Sequence, residues 1–208
     1  MGNETLDAIK EVFGIVPACD GMERKEITSL LNSELIRCRL TRKNAHSYWA
    51  HEVEVYNEYK RMTTWVDFMQ FEPGWHHTAR YPGCVEKGTF TCYEVKSCIA
   101  DIKSGHGINF YGDENFLVMP VEVYPKYKEE LIGGKLDEYL PVHYNYNVLL
   151  YGKLRNGWRG FRAIEGGHIG DIPRTKPASE LLLCMMRALI ANSDRADVQH
   201  EITREAKP

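Results

Sequence analysis

The stretch Thr89-Phe90-Thr91-Cys92-Tyr93-Glu94-Val95-Lys96 is rich in β-branched, aromatic and apolar residues, and it predicts a buried strand. Glu94 and Lys96 are two positions apart, so both side chains project from the same face of that strand. A second run with strand character, residues 62–71, carries Asp67 at its centre. An acid inside an apolar strand is costly unless it is paired or binds a ligand. The two strands therefore predict a site of two acids and one lysine, a combination typical of divalent-metal hydrolases.

Helix, strand and turn signals alternate along the rest of the chain. The helical spacing of apolar residues, together with capping and breaking residues, predicts helices at 5–13, 22–43, 97–104, 125–132 and 178–192. Further strands are predicted at 52–56 and 115–121, and a hairpin at 148–154 and 158–164, because Asn156-Gly157 between apolar runs is a strong turn signal. Residues 45–50 could extend the second helix, and residues 72–88 have the composition of a surface loop.

This order of elements predicts an α/β protein whose mixed central β-sheet is flanked by helices, with an N-terminal helix and a C-terminal hairpin plus helix. The length of 208 residues suits a single domain, residues 1–208. We expect its core at about residues 44–132, an N-terminal helical extension at 1–43, and a disordered, charged tail at about 194–208. The net charge of −3 weakens a nucleic-acid interpretation without excluding it, because binding grooves are charged locally.

The six cysteines and the first residues of the chain indicate the cellular compartment of the protein. No two cysteines have the Cys-x-x-Cys spacing, and the acidic N-terminus lacks the apolar segment of an export signal. No run of eighteen apolar residues is present. The sequence therefore predicts a cytoplasmic protein with reduced thiols and no membrane partner.

The predicted acid–lysine site suits metal-dependent phosphodiester hydrolysis. Two or three oxygen ligands hold a magnesium ion that keeps several waters, and a nearby cation stabilises the charge on phosphate. Asp67 and Glu94 are the candidate ligands, with the Val95 carbonyl as a third, and Lys96 is the candidate cation. Glu52, predicted where the second helix passes into a strand, could support the metal directly or through water. A Glu-x-Lys triplet alone is common, and the alternative is an ordinary ion pair on an edge strand.

Asp67 followed by Glu94-Val95-Lys96 resembles the PD-(D/E)XK, or restriction-endonuclease-like, nuclease superfamily. The similarity is nearest to MmcB-like DNA-repair nucleases and related phage-encoded domains, and it covers residues 49–120, about a third of the chain. The family's proline is absent, because Val66 precedes Asp67, and the 27-residue separation of Asp67 from Glu94 is long.

The resemblance implies a restriction-endonuclease-like core, a four-stranded mixed sheet flanked by helices. It implies a Mg²⁺- or Mn²⁺-dependent endo- or exodeoxyribonuclease that acts in DNA repair or in phage DNA processing. Asp67 and Glu94 would be metal ligands, Lys96 the catalytic lysine and Glu52 the supporting acid, with Glu54 as the alternative to Glu52. Many nucleases of this fold form dimers, but the sequence identifies no surface for a homodimer.

The C-terminal hairpin is the second candidate site. Lys153, Arg155, Arg159 and Arg162 surround Trp158, and cations interleaved with aromatic residues are typical of surfaces that bind nucleic-acid strands. The alternative is a charged strand face that guards a sheet edge.

Other functional interpretations stay open. The same fold could serve as a nucleic-acid- or partner-binding module without turnover, or as an accessory protein of a phage, and Asp67 could be a buried acid bonded to backbone amides. A zinc site of His76, His77, Cys84 and Cys92 fits no standard ligand spacing.

Overall fold

The computed structural model describes residues 2–41, 47–74, 83–105, 108–133, 146–164 and 174–205. The helices in this part of the chain are α1 (Gly2–Phe13), α2 (Arg24–Leu35), which continues as a π-helical turn (Ile36–Leu40), α3 (Gly83–Glu86), α4 (Ile99–Lys103), α5 (Tyr124–Gly133) and α6 (Ala178–Glu205). The strands are β1 (Ile15–Val16), β2 (Tyr48–Asn57), β3 (Met62–Glu72), β4 (Thr89–Val95), β5 (Glu114–Pro120), β6 (Asn147–Leu154) and β7 (Arg159–Ile164).

The seven described strands form one mixed, open sheet in the order β1-β6-β5-β4-β3-β2, with β7 also paired to β6. Strand β3 runs antiparallel to both β2 and β4, whereas β4, β5 and β6 run parallel to one another. The predicted α/β class and mixed sheet are confirmed. Because β4 lies between an antiparallel and a parallel neighbour, it occupies the middle of the sheet and is buried along nearly its whole length.

Helices cover both faces of the sheet. One face, here called the α6 face, packs against α1, α4, α5 and α6 through buried residues such as Ile9, Ile102 and Leu181. The opposite α2 face packs against α2 and its π-helical turn, with Leu31 and Leu35 fully buried. Because both faces of the sheet are covered, the sequences of the central strands are nearly continuous apolar runs.

The alternation of side chains is interrupted at one level of β2 and β3. Every residue from Tyr48 to Asn57 pairs with a residue of β3 except Glu52, which lies opposite Asp67 in the register. Val66 and Met69 both pack on the α6 face although an odd number of positions separates them. Glu52 has φ 51°, a conformation that residues other than glycine rarely adopt. Each strand thus carries a bulge-like extra residue at the same level, and Asp67 is released from the regular ladder.

Several predicted boundaries change. The prediction that residues 45–50 extend the second helix is wrong for Tyr48–Ala50, which begin β2. Glu52 therefore lies within a strand and not at a helix exit, as the sequence had suggested. The region 72–88 includes the short helix α3, while residues 75–82 lie outside the described residues. Helix α6 continues to Glu205, past the predicted end at residue 192.

Strand β1 was not predicted, because two residues carry no periodic signal. Among the described residues, no helix has both the length and the apolar character needed to span a membrane.

Candidate functional site

Glu94 and Lys96 lie where β4 ends, in the middle of the sheet. Glu94 is completely buried and Lys96 is 7% exposed, and both are on the α6 face, as their spacing predicts. The Lys96 Nζ atom is 3.9 Å from Glu94 Oε2, close enough for charge attraction but not for a hydrogen bond. The central strand therefore buries a carboxylate and an ammonium side by side.

Asp67 joins this pair from the neighbouring strand. The backbone ladder between β3 and β4 stops at Phe68 and Tyr93. Beyond that point Asp67 Oδ2 accepts the backbone N–H of Val95 at 2.7 Å. The bulge at Asp67 thus replaces a backbone–backbone bond with a side-chain bond, and it holds the Asp67 carboxyl beside the end of β4.

Burial and mutual repulsion shape the titration of the two acids. Burial raises the pKa of Glu94 well above its usual range, and the nearby Asp67 carboxyl raises it further, against the opposing effect of Lys96. Burial also raises the pKa of Asp67, while Lys96 and the Val95 N–H act in the opposite direction. Two carboxyls that share one lysine favour the uptake of a proton or of another cation.

Asn109 holds the buried acid from above. Its backbone N–H donates to Glu94 Oε1 at 3.2 Å, and its side-chain Nδ2 donates to the Trp65 carbonyl at 2.9 Å. Asn109 therefore ties the loop that follows α4 to both β3 and β4. The second oxygen of Glu94, Oε2, is buried and has no hydrogen-bond partner within the described residues.

Asn109→Ala is expected to lower the free energy of unfolding by about 0.5–1.5 kcal/mol, because the partly buried Trp65 carbonyl loses its donor. The control is Asp20→Ala in the exposed turn before α2, which should change stability by less than about 0.5 kcal/mol. Urea unfolding followed by circular dichroism measures both values. Equal effects for the two variants would show that the Asn109 side chain does not anchor this loop.

Asp101, in helix α4, lies next to the site. Its side chain is 18% exposed, accepts a hydrogen bond from the Ser97 hydroxyl at 2.8 Å and forms an ion pair with Arg24. The charge of Asp101 also contributes to raising the pKa of Asp67. Sequence reasoning missed the roles of Ser97, Asp101 and Asn109, since only their place just after the Glu94–Lys96 strand could have drawn attention to them.

Glu52 and Glu54, the two candidates for the supporting acid, differ in their position on β2 relative to Asp67. Glu52 is exposed, and its register position is opposite Asp67, whereas the alternative, Glu54, is opposite Trp65. Across the described ranges, no three His, Cys, Asp or Glu side chains are grouped so that they could hold a metal ion. Register thus favours Glu52 over Glu54 as the supporting acid, although neither completes a three-acid cluster.

The donor set still suits one hard cation. The buried Glu94 Oε2 atom, which has no hydrogen-bond partner within the described residues, and the neighbouring Asp67 carboxyl fit Mg²⁺, which binds proteins through one or two carboxylates and keeps several waters. The alternative zinc site falls largely on His76 and His77, which lie outside the described residues. Its fourth member, Cys92, is buried in the apolar core.

The basic residues of the hairpin do not share one surface. Arg159 and Arg162 are three positions apart on β7, so their side chains project from opposite faces. Lys153 is in register with Arg159, and Arg155 reaches from the turn to donate to the Glu11 carbonyl at 2.6 Å. Lys153, Arg155 and Arg159 can therefore act near the turn, and Arg162 is separated from Arg159 by the strand.

Comparison of the chain with protein-family models, with curated proteins and with solved structures returned no match. The fold and the site together define a class: an α/β protein whose described strands form a mixed seven-stranded sheet, with a buried glutamate and lysine at the end of its central strand and a half-buried aspartate on the neighbouring strand. The argument for function therefore depends on the chemistry of that site.

Proposed function

We propose that the protein is a Mg²⁺-dependent nuclease that hydrolyses DNA phosphodiester bonds, with its active site at Asp67, Glu94 and Lys96. The observation that carries the proposal is the completely buried Glu94 carboxyl, which interacts with the half-buried Asp67 carboxyl and with Lys96, while its Oε2 atom has no hydrogen-bond partner within the described residues. Buried charges are costly, and acids whose pKa values are strongly raised by burial and by a specific neighbouring charge are candidates for a functional site.

The arrangement of strands supports a restriction-endonuclease-like core. Strands β2, β3 and β4 are antiparallel and are followed by the parallel strand β5, which matches the four-stranded mixed sheet implied by the resemblance. Asp67 and Glu94 come from the two central strands of this set. The proposed core thus brings the two acids together although 27 positions separate them in the sequence.

Asp67, Glu94 and the Val95 carbonyl would hold the metal, and Glu52 would support it across the bulge. When bound, Mg²⁺ supplies a water of lowered pKa and neutralises charge on the phosphate. Lys96 places its ammonium on the same face as Glu94, where it stabilises the negative charge that develops on the phosphate oxygens. The Val95 N–H orients Asp67, and Asn109 orients Glu94.

One observation favours a second candidate, a nucleic-acid- or partner-binding module without turnover. Glu94 is completely buried beneath the Asn109 loop, and no third acid joins the pair within the described chain. A module of this kind would keep the acid–lysine group as a structural element of the sheet.

A cleavage assay separates the two candidates. Plasmid and single-stranded DNA are incubated with Mg²⁺ or Mn²⁺ and the wild-type protein, Asp67→Asn, or the exposed control Asp20→Asn. We expect cleavage by the wild type and by Asp20→Asn, and a rate at least about 100-fold lower for Asp67→Asn, because one of the two carboxylates that would hold the metal is lost.

DNA retention by all three proteins without products would support the binding module. If the wild type neither cleaves nor retains DNA, both candidates are wrong.

A further inference from the structure

A groove of about 600 Å³ lies between helix α1 and the β6–β7 turn, away from Asp67, Glu94 and Lys96. Lys10 lines it from the helix, and Lys153, Leu154, Arg155 and Gly157 line it from the hairpin. The groove therefore lies between the N-terminal helix and the turn that follows β6, and its wall carries both charged and apolar groups.

The three cations of this groove are available to a ligand. None of Lys10, Lys153 and Arg155 forms an ion pair within the described residues. Arg155 is held in place by its hydrogen bond to the Glu11 carbonyl. Its side chain also packs closely against Gly14, since a Cβ atom at that position would lie 2.5 Å from Arg155 Nε. Glycine at position 14 thus allows the guanidinium to lie against the end of α1, where φ is also positive.

Asp7 and Glu11 also line the groove, so its net formal charge is only about one positive unit. Charge alone therefore gives weak binding, and a ligand must gain affinity from another contact. Trp158, at the edge of the same turn, is 70% exposed. Aromatic rings next to cations bind single strands, because a base stacks on the ring while phosphates contact the cations. A duplex keeps its bases stacked inside and cannot use Trp158 in this way.

The groove lies toward the same edge of the sheet as the acid–lysine site. Strands β4, β5 and β6 are parallel, and Val95 is level with Val118 and Leu149. From Leu149, strand β6 continues five residues to Leu154. With a rise of about 3.3 Å per residue and a spacing of about 4.8 Å between strands, the β6–β7 turn lies about 20 Å from Val95. Ligands of open α/β sheets bind beyond the carboxyl ends of parallel strands.

We propose that this groove, together with Trp158, docks a single-stranded polynucleotide. Trp158 stacks on a base, and Lys10, Lys153 and Arg155 contact phosphates. The biological role of this docking rests on the proposed function, since the docked strand would lead toward Glu94 and Lys96. Strand binding itself requires no cleavage.

Fluorescence anisotropy of labelled oligonucleotides tests the docking site. Oligothymidylate and oligouridylate of about 20 nucleotides and a DNA duplex of the same length are titrated with the full chain in EDTA, at about 50 mM and about 200 mM KCl. The test variants are Trp158→Ala and the double variant Lys10→Glu/Lys153→Glu. The matched controls are Tyr59→Ala, an exposed aromatic residue in another turn, and Lys25→Glu/Lys60→Glu, both on the surface.

We expect the wild type to bind at least one of the single strands more tightly than the duplex. Trp158→Ala should weaken binding by about 5- to 150-fold, the range of one stacked base. Lys10→Glu/Lys153→Glu should weaken binding and reduce the salt dependence by about one or two phosphate contacts. The controls should bind as the wild type does, and the DNA and RNA arms show which sugar the groove accepts.

Three outcomes would overturn the inference: no binding of either single strand by the wild type at about 100 µM protein, tighter binding of the duplex, or unchanged affinity in both groove variants. If one of these outcomes is found and the wild type still cleaves plasmid in Mg²⁺, the docking inference is wrong and the proposed function stands. Loss of strand binding in the groove variants of a protein that never cleaves supports the docking site and contradicts the nuclease.

Discussion

Glu94→Gln is expected to abolish Mg²⁺-dependent DNA cleavage and, at the same time, to raise the melting temperature of the protein at neutral pH. Cleavage should fall by at least about 10²- to 10³-fold, because the amide keeps the shape of the side chain but not the charge. Stability should rise because Glu94 is completely buried beside the Asp67 carboxyl, and within the described residues its Oε2 atom has no hydrogen-bond partner and only the Lys96 ammonium 3.9 Å away.

The pH dependence follows from the direction of the pKa shift. The pKa of Glu94 in the folded protein lies well above its value of 4.5 in an unfolded chain. Between those two values the folded state binds more protons than the unfolded state, so the free energy of unfolding falls as pH rises. The stability that this group contributes is complete below pH 4.5 and is lost as pH rises through the folded pKa. Glutamine does not titrate, so the advantage of Glu94→Gln grows with pH.

Thermal unfolding in EDTA from about pH 5 to about pH 9 measures this effect. Each kcal/mol gained should appear as about 2–4 °C in melting temperature for a chain of this size. Added Mg²⁺ should raise the melting temperature of the wild type and leave Glu94→Gln unchanged, since a ligand stabilises only the state that binds it.

Glu114→Gln, at the exposed start of β5, is the matched control and should follow the wild-type pH profile. A Glu94→Gln variant that is less stable than the wild type at alkaline pH would refute the assignment of a buried, destabilising carboxylate. Unchanged cleavage by that variant would remove Glu94 from the active site.

Gly112→Ala is expected to lower the free energy of unfolding by about 2–3 kcal/mol, or about 4–12 °C in melting temperature. A Cβ atom at Gly112 would lie 2.5 Å from the Phe90 carbonyl oxygen and 2.8 Å from the Glu114 carbonyl oxygen. Both contacts are with backbone at the starts of strands β4 and β5, which cannot move without breaking the sheet. Asn115 also fixes the glycine by bonding to both its N–H and its carbonyl at 3.1 Å.

Gly83→Ala provides the matched control, because a Cβ atom there meets nothing within 4 Å. Gly83 begins helix α3, where alanine is the better helix former, so this change should be neutral or slightly stabilising. Denaturant unfolding of the two variants measures the difference. If both behave alike, the loop before β5 relaxes freely, and close packing does not fix its path toward Asn109.

The sequence alone was enough to locate most of the architecture, because the signals involved are local. The strand predicted at 62–71 is Met62–Glu72, and the turn at Asn156-Gly157 joins β6 to β7. Alternation within one strand also determined that Glu94 and Lys96 share a face. These features depend on neighbours within a few positions, where steric preference and hydrophobic period act directly.

The tertiary structure alone decided how the site is assembled. The paired bulge of Glu52 and Asp67 and the Asp67 bond to Val95 depend on the register between strands. Asn109 contacts Glu94 through loop packing, Asp101 acts on Asp67 through helix packing, and α1 meets the β6–β7 turn across more than a hundred residues of chain. Long-range contacts of this kind arise when the whole sheet closes, since no short segment contains both partners and no local preference specifies their distance.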